Sequence, residues 1–87
     1  MARILIAEDE KAVRTFLIRT LESRCHEVKA LADGVQALQT LQKNSFDMLL
    51  SDIVMPELDG IALALKVSRA WPDMPIVLIT GYAEERQ

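Results

Sequence analysis

Among its 87 residues the sequence has one cysteine, one histidine, three glycines and three prolines. The lone thiol, Cys25, excludes an internal disulfide and fits a reducing compartment, with Cys25 structurally inert. His26 follows it, but no second cysteine or histidine stands near enough in sequence to make a metal site. No stretch approaches the roughly 18 apolar residues that a membrane span requires. The opening MARILIAEDE turns acidic after four apolar residues and lacks the apolar core and cleavage site of a signal peptide. These features predict a cytoplasmic protein. Lysine and arginine are not clustered and the net charge is -3, which argues against a nucleic-acid surface. There is no internal repeat, low-complexity tract or interdomain linker.

The chain is the length of one domain, residues 1–87. A domain this small buries only about 60% of its unfolded surface, so its margin of stability is thin. Hydrophobic residues make up 51% of the sequence and charged residues 26%, a globular rather than disordered balance. Ile4, Leu5, Ile6 and Ala7 form a continuous apolar run, as in a strand buried on both faces. Over residues 11–24 the period becomes helical, with Val13, Phe16, Leu17, Thr20 and Leu21 on one stripe and Ile18 beside it as an exposed residue. A second strand is expected over 27–32, followed by a turn or helix start at Asp33-Gly34. Val35, Leu38 and Leu41 space a second helix that fades at Lys43-Asn44-Ser45. Met48, Leu49 and Leu50 are a third strand leading to Asp52, residues 61–71 a third helix, and 76–79 a fourth strand ending at Thr80-Gly81. Pro72 and Pro75 punctuate the last connection, Trp71 packs at a helix end, Asp47 and Asp73 occupy turns, and residues 82–87 open another helix. The alternation β-α-β-α-β-α-β predicts right-handed crossovers and an α/β doubly wound parallel sheet.

In such sheets ligands bind beyond the carboxyl ends of the strands. Three strands here end in polar groups: Glu8-Asp9 after the first, Asp52 after the third, Thr80 after the fourth. If the first and third strands are neighbours, three carboxylates meet and repel one another. A divalent cation removes that conflict, and Mg²⁺ suits all-oxygen ligands completed by water and phosphate. A carboxylate beside Mg²⁺ can attack a phosphoryl group and become an aspartyl phosphate. A strand-end hydroxyl such as that of Thr80 then bonds a phosphoryl oxygen. Glu8-Asp9-Glu10 could equally cap the first helix.

The acidic pair Glu8-Asp9, Asp52, Met55-Pro56, Asp59-Gly60 and Thr80, in that order and spacing, resemble the receiver domain of two-component response regulators, and the resemblance spans the whole chain. It implies a flavodoxin/CheY-like fold, with Asp52 as phosphoacceptor and Asp9 as a direct Mg²⁺ ligand. It implies that Glu8, where the family usually has Asp, holds the metal through water and that Val54 offers its backbone carbonyl. Thr80 contacts the phosphoryl group and switches, and Gly81 leaves phosphodonors access. The implied partners are a histidine kinase or histidine phosphotransfer protein, docking near Ile18 and Arg14, and an output protein. The strings ILIAEDE, SDIVMPELDGIALA and ITGYAEE most resemble small single-domain CpdR-type regulators of bacterial cell-cycle control.

The family pattern continues into a fifth strand, which carries a lysine for the phosphoryl group and an aromatic, and a fifth helix. The sequence stops at Gln87, and Lys66, mid-helix, cannot substitute. The expectation is therefore a receiver incomplete at its C-terminus, its fourth strand an edge open to pairing with a second copy. Other functions fit less well. A nucleotide-binding module needs a glycine-rich loop where Glu8-Asp9-Glu10 stands. An aspartyl-nucleophile phosphohydrolase needs a second acid at Val54. An inactive receiver-like scaffold draws no support from the intact acids, but the missing fifth strand and helix keep it open. A phosphoacceptor rather than an enzyme is expected.

Overall fold

The computed structural model describes residues 1–80; Gly81 and the helix expected over 82–87 lie outside the described residues. Seven elements alternate: β1 (Arg3–Ala7), α1 (Lys11–Glu22), β2 (Glu27–Leu31), α2 (Gly34–Lys43), β3 (Met48–Asp52), α3 (Gly60–Ala70) and β4 (Ile76–Ile79). All strand pairs are parallel, in the order β2-β1-β3-β4. The chain lays β2 on one side of β1, then crosses to lay β3 on the other. The point of reversal therefore falls between β1 and β3, where an open α/β sheet binds its ligand.

The alternation of side chains along β1 divides the core. Leu5 and Ala7 face one side with Leu49, Ala37, Leu41, Leu63 and Val67, under α2 and α3. Ile4 and Ile6 face the other with Leu50, under α1. With both faces covered, β1 carries no polar side chain from Ile4 to Ala7, which is why it reads as a run rather than an alternation.

Helix α1 corrects the expected stripe. Leu17, Ile18 and Leu21 pack on the sheet, whereas Phe16 is 65% exposed. Successive helical residues turn by about 100°. A stripe centred on Leu17 and Leu21 therefore takes in Ile18 on one side and leaves Phe16 outside on the other. Thr20 is also exposed, its hydroxyl donating to the Phe16 carbonyl at 2.8 Å. Among the described residues α1 has none fully buried, while α2 and α3 each have three.

The helix ends follow local chemistry. Asp33 and Asp59 cap α2 and α3 by accepting from Gln36 N and Ala62 N, each at 2.8 Å. α1 ends two residues before its expected limit in a tight closure: Cys25 N–H donates to Glu22 O at 2.9 Å and His26 N–H to Leu21 O at 3.2 Å. This pairing places a residue in the left-handed region, where glycine is usual. Here it is Cys25, at φ 67°. His26 then accepts from Ala2 N through Nδ1 at 3.1 Å, which ties the turn to the chain start. Asp47 accepts from Arg3 N at 2.7 Å and closes the same end of the sheet. Trp71 packs at the end of α3 against the core, as expected. Among the described residues β4 is an edge strand, with Val77 and Leu78 partly exposed.

Replacing Cys25 with glycine removes the left-handed penalty. We expect Cys25→Gly to raise the free energy of urea unfolding by about 1 kcal/mol; an unchanged or lower midpoint would show that the thiol side chain contributes packing the closure needs.

Candidate functional site

The parallel register brings the acids together. Ala7 is level with Ser51, and Asp52 with Ile79. The residues just past β1 therefore face the end of β3, and Thr80 follows β4 alongside. Carboxylate oxygens of Glu8, Asp9 and Asp52 lie within 4.8 Å of one another. A cavity of about 200 Å³ opens beside them, lined by Glu8, Glu10, Val13, Asp52, Ile79 and Thr80. Four of the five expected site residues thus meet at one sheet edge. The fifth, Val54, stands in the following loop with its side chain exposed.

The three acids sit in different environments: Glu8 is buried at 2% exposure, Asp52 is half-buried and Asp9 is exposed. Burial is the main reason that the Glu8 carboxyl is raised from 4.5 to about 7; the neighbouring charges of Asp52 and Asp9 and a hydrogen bond with Asp52 raise it further. Its bond from Glu10 N–H, at 3.0 Å to Oε2, acts in the opposite sense. Near neutral pH the cluster thus relieves its repulsion by holding a proton on Glu8. A hard divalent cation would relieve it equally well, and three carboxylates around one point are a suitable oxygen donor set for Mg²⁺.

The loop from Ile53 to Asp59 is shaped by close backbone contact. Gly60 N–H donates to Ile53 O at 2.8 Å. A side chain at Gly60 would overlap the Asp52 carbonyl, so only glycine lets α3 start against the end of β3. Glu57, after Pro56, is left-handed at φ 66°, in the position of a turn where glycine is ordinarily found. Ser51, fully buried, donates its hydroxyl to the Asp52 carbonyl at 2.9 Å.

Several residues play parts that the sequence did not suggest. Glu10, a candidate helix cap, makes no side-chain capping bond and instead lines the cavity with Val13. Their offsets from Asp9, one and four residues into a strand-to-helix turn, were the available signal. Ile18, a candidate docking contact, is packed inward. Arg14 is half-buried, with its guanidinium turned to the backbone of the acidic pair.

Comparison with known proteins agrees with this geometry. Residues 4–87 match the family model described as the response regulator receiver domain. The chain is 46% identical over 83 residues to the response regulator receiver protein CpdR of Brucella abortus (strain 2308), covering 95% of this chain and 69% of that protein. It is 40% identical over 86 residues to the sensor kinase CckA of the same organism, covering 97% of this chain but only 9% of the kinase. Among solved structures it is similar to the response regulator TrrA of Thermotoga maritima in complex with Mg²⁺-BeF, with a TM-score of 0.91, 30% identity, and coverage of 99% of this chain and 75% of that one. TrrA in complex with the histidine kinase ThkA gives a TM-score of 0.89 at 30% identity, covering 100% and 75%.

The raised Glu8 carboxyl fixes the sign of one pH dependence. The folded chain holds this proton up to about pH 7, while the unfolded chain releases it near 4.5. The metal-free protein therefore loses stability as pH rises through that window, by roughly 3 kcal/mol from this group. Urea unfolding without divalent metal should give a lower free energy at about pH 8 than at about pH 5.5, and Glu8→Gln should flatten the difference. An equally steep profile in the variant would assign the dependence to other groups.

Proposed function

The chain belongs to the response regulator receiver domains of two-component systems, and we propose that residues 1–87 are part of one receiver domain, incomplete at its C-terminal side, in which Asp52 accepts a phosphoryl group. The observation that carries this is the convergence of Glu8, Asp9 and Asp52 at the switch point of the sheet, beside a cavity that Thr80 also lines.

The chemistry follows from the positions. An oxygen of the Asp52 carboxylate attacks the phosphorus of a phosphohistidine protonated at its other ring nitrogen; the P–N bond breaks, its electron pair returns to nitrogen, and neutral imidazole leaves. The product is an acyl phosphate on Asp52. Asp9 and Asp52, with Glu8 through water and the Val54 carbonyl, would hold Mg²⁺. When bound, the metal supplies charge neutralisation to the phosphoryl oxygens, the main demand of this transfer. Val13 and Ile79 give the cavity apolar walls that limit water at the phosphorus. The Thr80 hydroxyl donates to a phosphoryl oxygen and so links the site to β4. Val54 has no proton to offer as a general acid, which favours a lasting phosphoprotein over turnover.

The phosphodonor partner is a histidine kinase or histidine phosphotransfer protein in the cytoplasm, as suggested by the ThkA complex of TrrA. The nearness to CpdR supports a role in cell-cycle signalling through an output protein. No helix among the described residues is long and apolar enough to cross a membrane. Among the described residues β4 has no neighbour on its outer side, and pairing there with a second copy would register in sedimentation over a dilution series as a concentration-dependent dimer; monomer alone would exclude it.

Incubation with acetyl phosphate and Mg²⁺, followed by intact-mass measurement, should add one phosphoryl group. Asp52→Asn should abolish the addition, and chelation of Mg²⁺ should slow it by about a hundredfold or more. Phosphorylation retained in Asp52→Asn would place the acceptor elsewhere.

A further inference from the structure

The loop that presents Glu8 and Asp9 has an unusual support. α2 and α3 begin with an aspartate whose side chain accepts from the first turn. α1 has no such cap: Glu10 stands at that position and makes no side-chain capping bond. The tie runs in the opposite direction. Arg14, in the first turn of α1, reaches back so that Nη1 donates to Glu8 O at 2.7 Å and lies 3.4 Å from Asp9 O. Its own backbone N–H donates to Glu10 O at 2.9 Å. Three successive carbonyls of the acidic segment are thus bonded or approached by this one residue.

We propose that Arg14 is a positioning residue for the acidic loop, its guanidinium holding the Glu8 and Asp9 carbonyls so that the two carboxylates stay aimed at the point shared with Asp52. The inference rests on the reading of this cluster as the Mg²⁺ and phosphoryl site.

The role is geometric more than electrostatic. Nη1 is directed at two backbone carbonyls of the loop. The loop is otherwise held by Glu8 N–H to Leu31 O at 3.0 Å and by Glu10 N–H to the Glu8 carboxylate. The first of these lies at the amide entering Glu8, before the Glu8–Asp9 peptide, and the second is formed by one of the carboxylates that would face the metal. Without Arg14, the peptide between Glu8 and Asp9 loses its link to α1, and metal binding would have to order it. Residues that orient ligands from behind commonly change metal affinity by about 10- to 100-fold when removed.

The test uses the full chain with Arg14→Ala and Arg14→Lys. Calorimetric titration with Mg²⁺ should show the dissociation constant rise about tenfold in Arg14→Ala. Arg14→Lys, with the charge but without the planar fork, should recover only part of it. Hydrogen exchange at Glu10 N–H in the metal-free protein should quicken in Arg14→Ala while the β1 and β3 amides keep their protection. A merely structural role would speed exchange throughout and leave the affinity of the folded fraction unchanged. Mg²⁺ affinity within about twofold of the parent, with Glu10 exchange unaltered, would overturn the proposal. Full recovery in Arg14→Lys would replace the geometric role with a charge effect and overturn it equally. Failure of the parent chain to bind Mg²⁺ would instead count against the reading of the site, while the exchange measurement would still decide what Arg14 does to the loop.

Discussion

The crowding of three carboxylates at the junction of β1 and β3 is the constraint on which the rest of the molecule depends. Glu8, Asp9 and Asp52 cannot all carry a full charge within 4.8 Å without compensation. In the metal-free chain the upward shift of the buried Glu8 carboxyl, to about 7, supplies part of it. A phosphoacceptor needs this latent strain, because a site that is content when empty gains little from a cation and a phosphoryl group. The fold accordingly devotes its most rigid parts to maintaining the crowding. β1 and β3 are the two central strands, and Leu5, Ile6 and Leu49 within them are wholly buried. The acids are thus carried on the part of the chain least able to yield.

Much of this was legible in the sequence because apolar runs ending in acids are hard to explain otherwise. All four strands and three helices stand where the patterns placed them, with ends displaced by one or two residues. The ends moved for local reasons: Cys25 takes the left-handed position that closes α1, and Gly60 belongs to α3 rather than to the loop before it. The neighbour relation of β1 and β3 was a condition of the argument from the acids; strand order follows from crossovers that no local pattern records.

Side-chain roles on α1 were the least legible. Phe16 and Ile18 differ from the central stripe by one residue in opposite directions, and hydrophobicity alone does not say which belongs. Helical angle decides for Ile18. The bonding partners of Glu10 and Arg14 were illegible for a related reason: a charged residue at a helix start has several partners within reach, and only the placement of the backbone selects one. Arg14 chose carbonyls over solvent, and Glu10 the cavity over its own helix.

The contact between Gly60 and the Asp52 carbonyl has a mechanical meaning. Two backbones meet there with no side chain between them to absorb displacement, and the Gly60 N–H is bonded to the next carbonyl along, that of Ile53. α3 is in effect keyed to the strand end that carries Asp52. A shift of the Asp52 backbone turns the first residue of that helix directly, and Leu63 and Val67 carry the motion into the packed layer shared with α2. The sheet edge and the helical layer thus behave as one geared body, whose tooth is a missing methyl group.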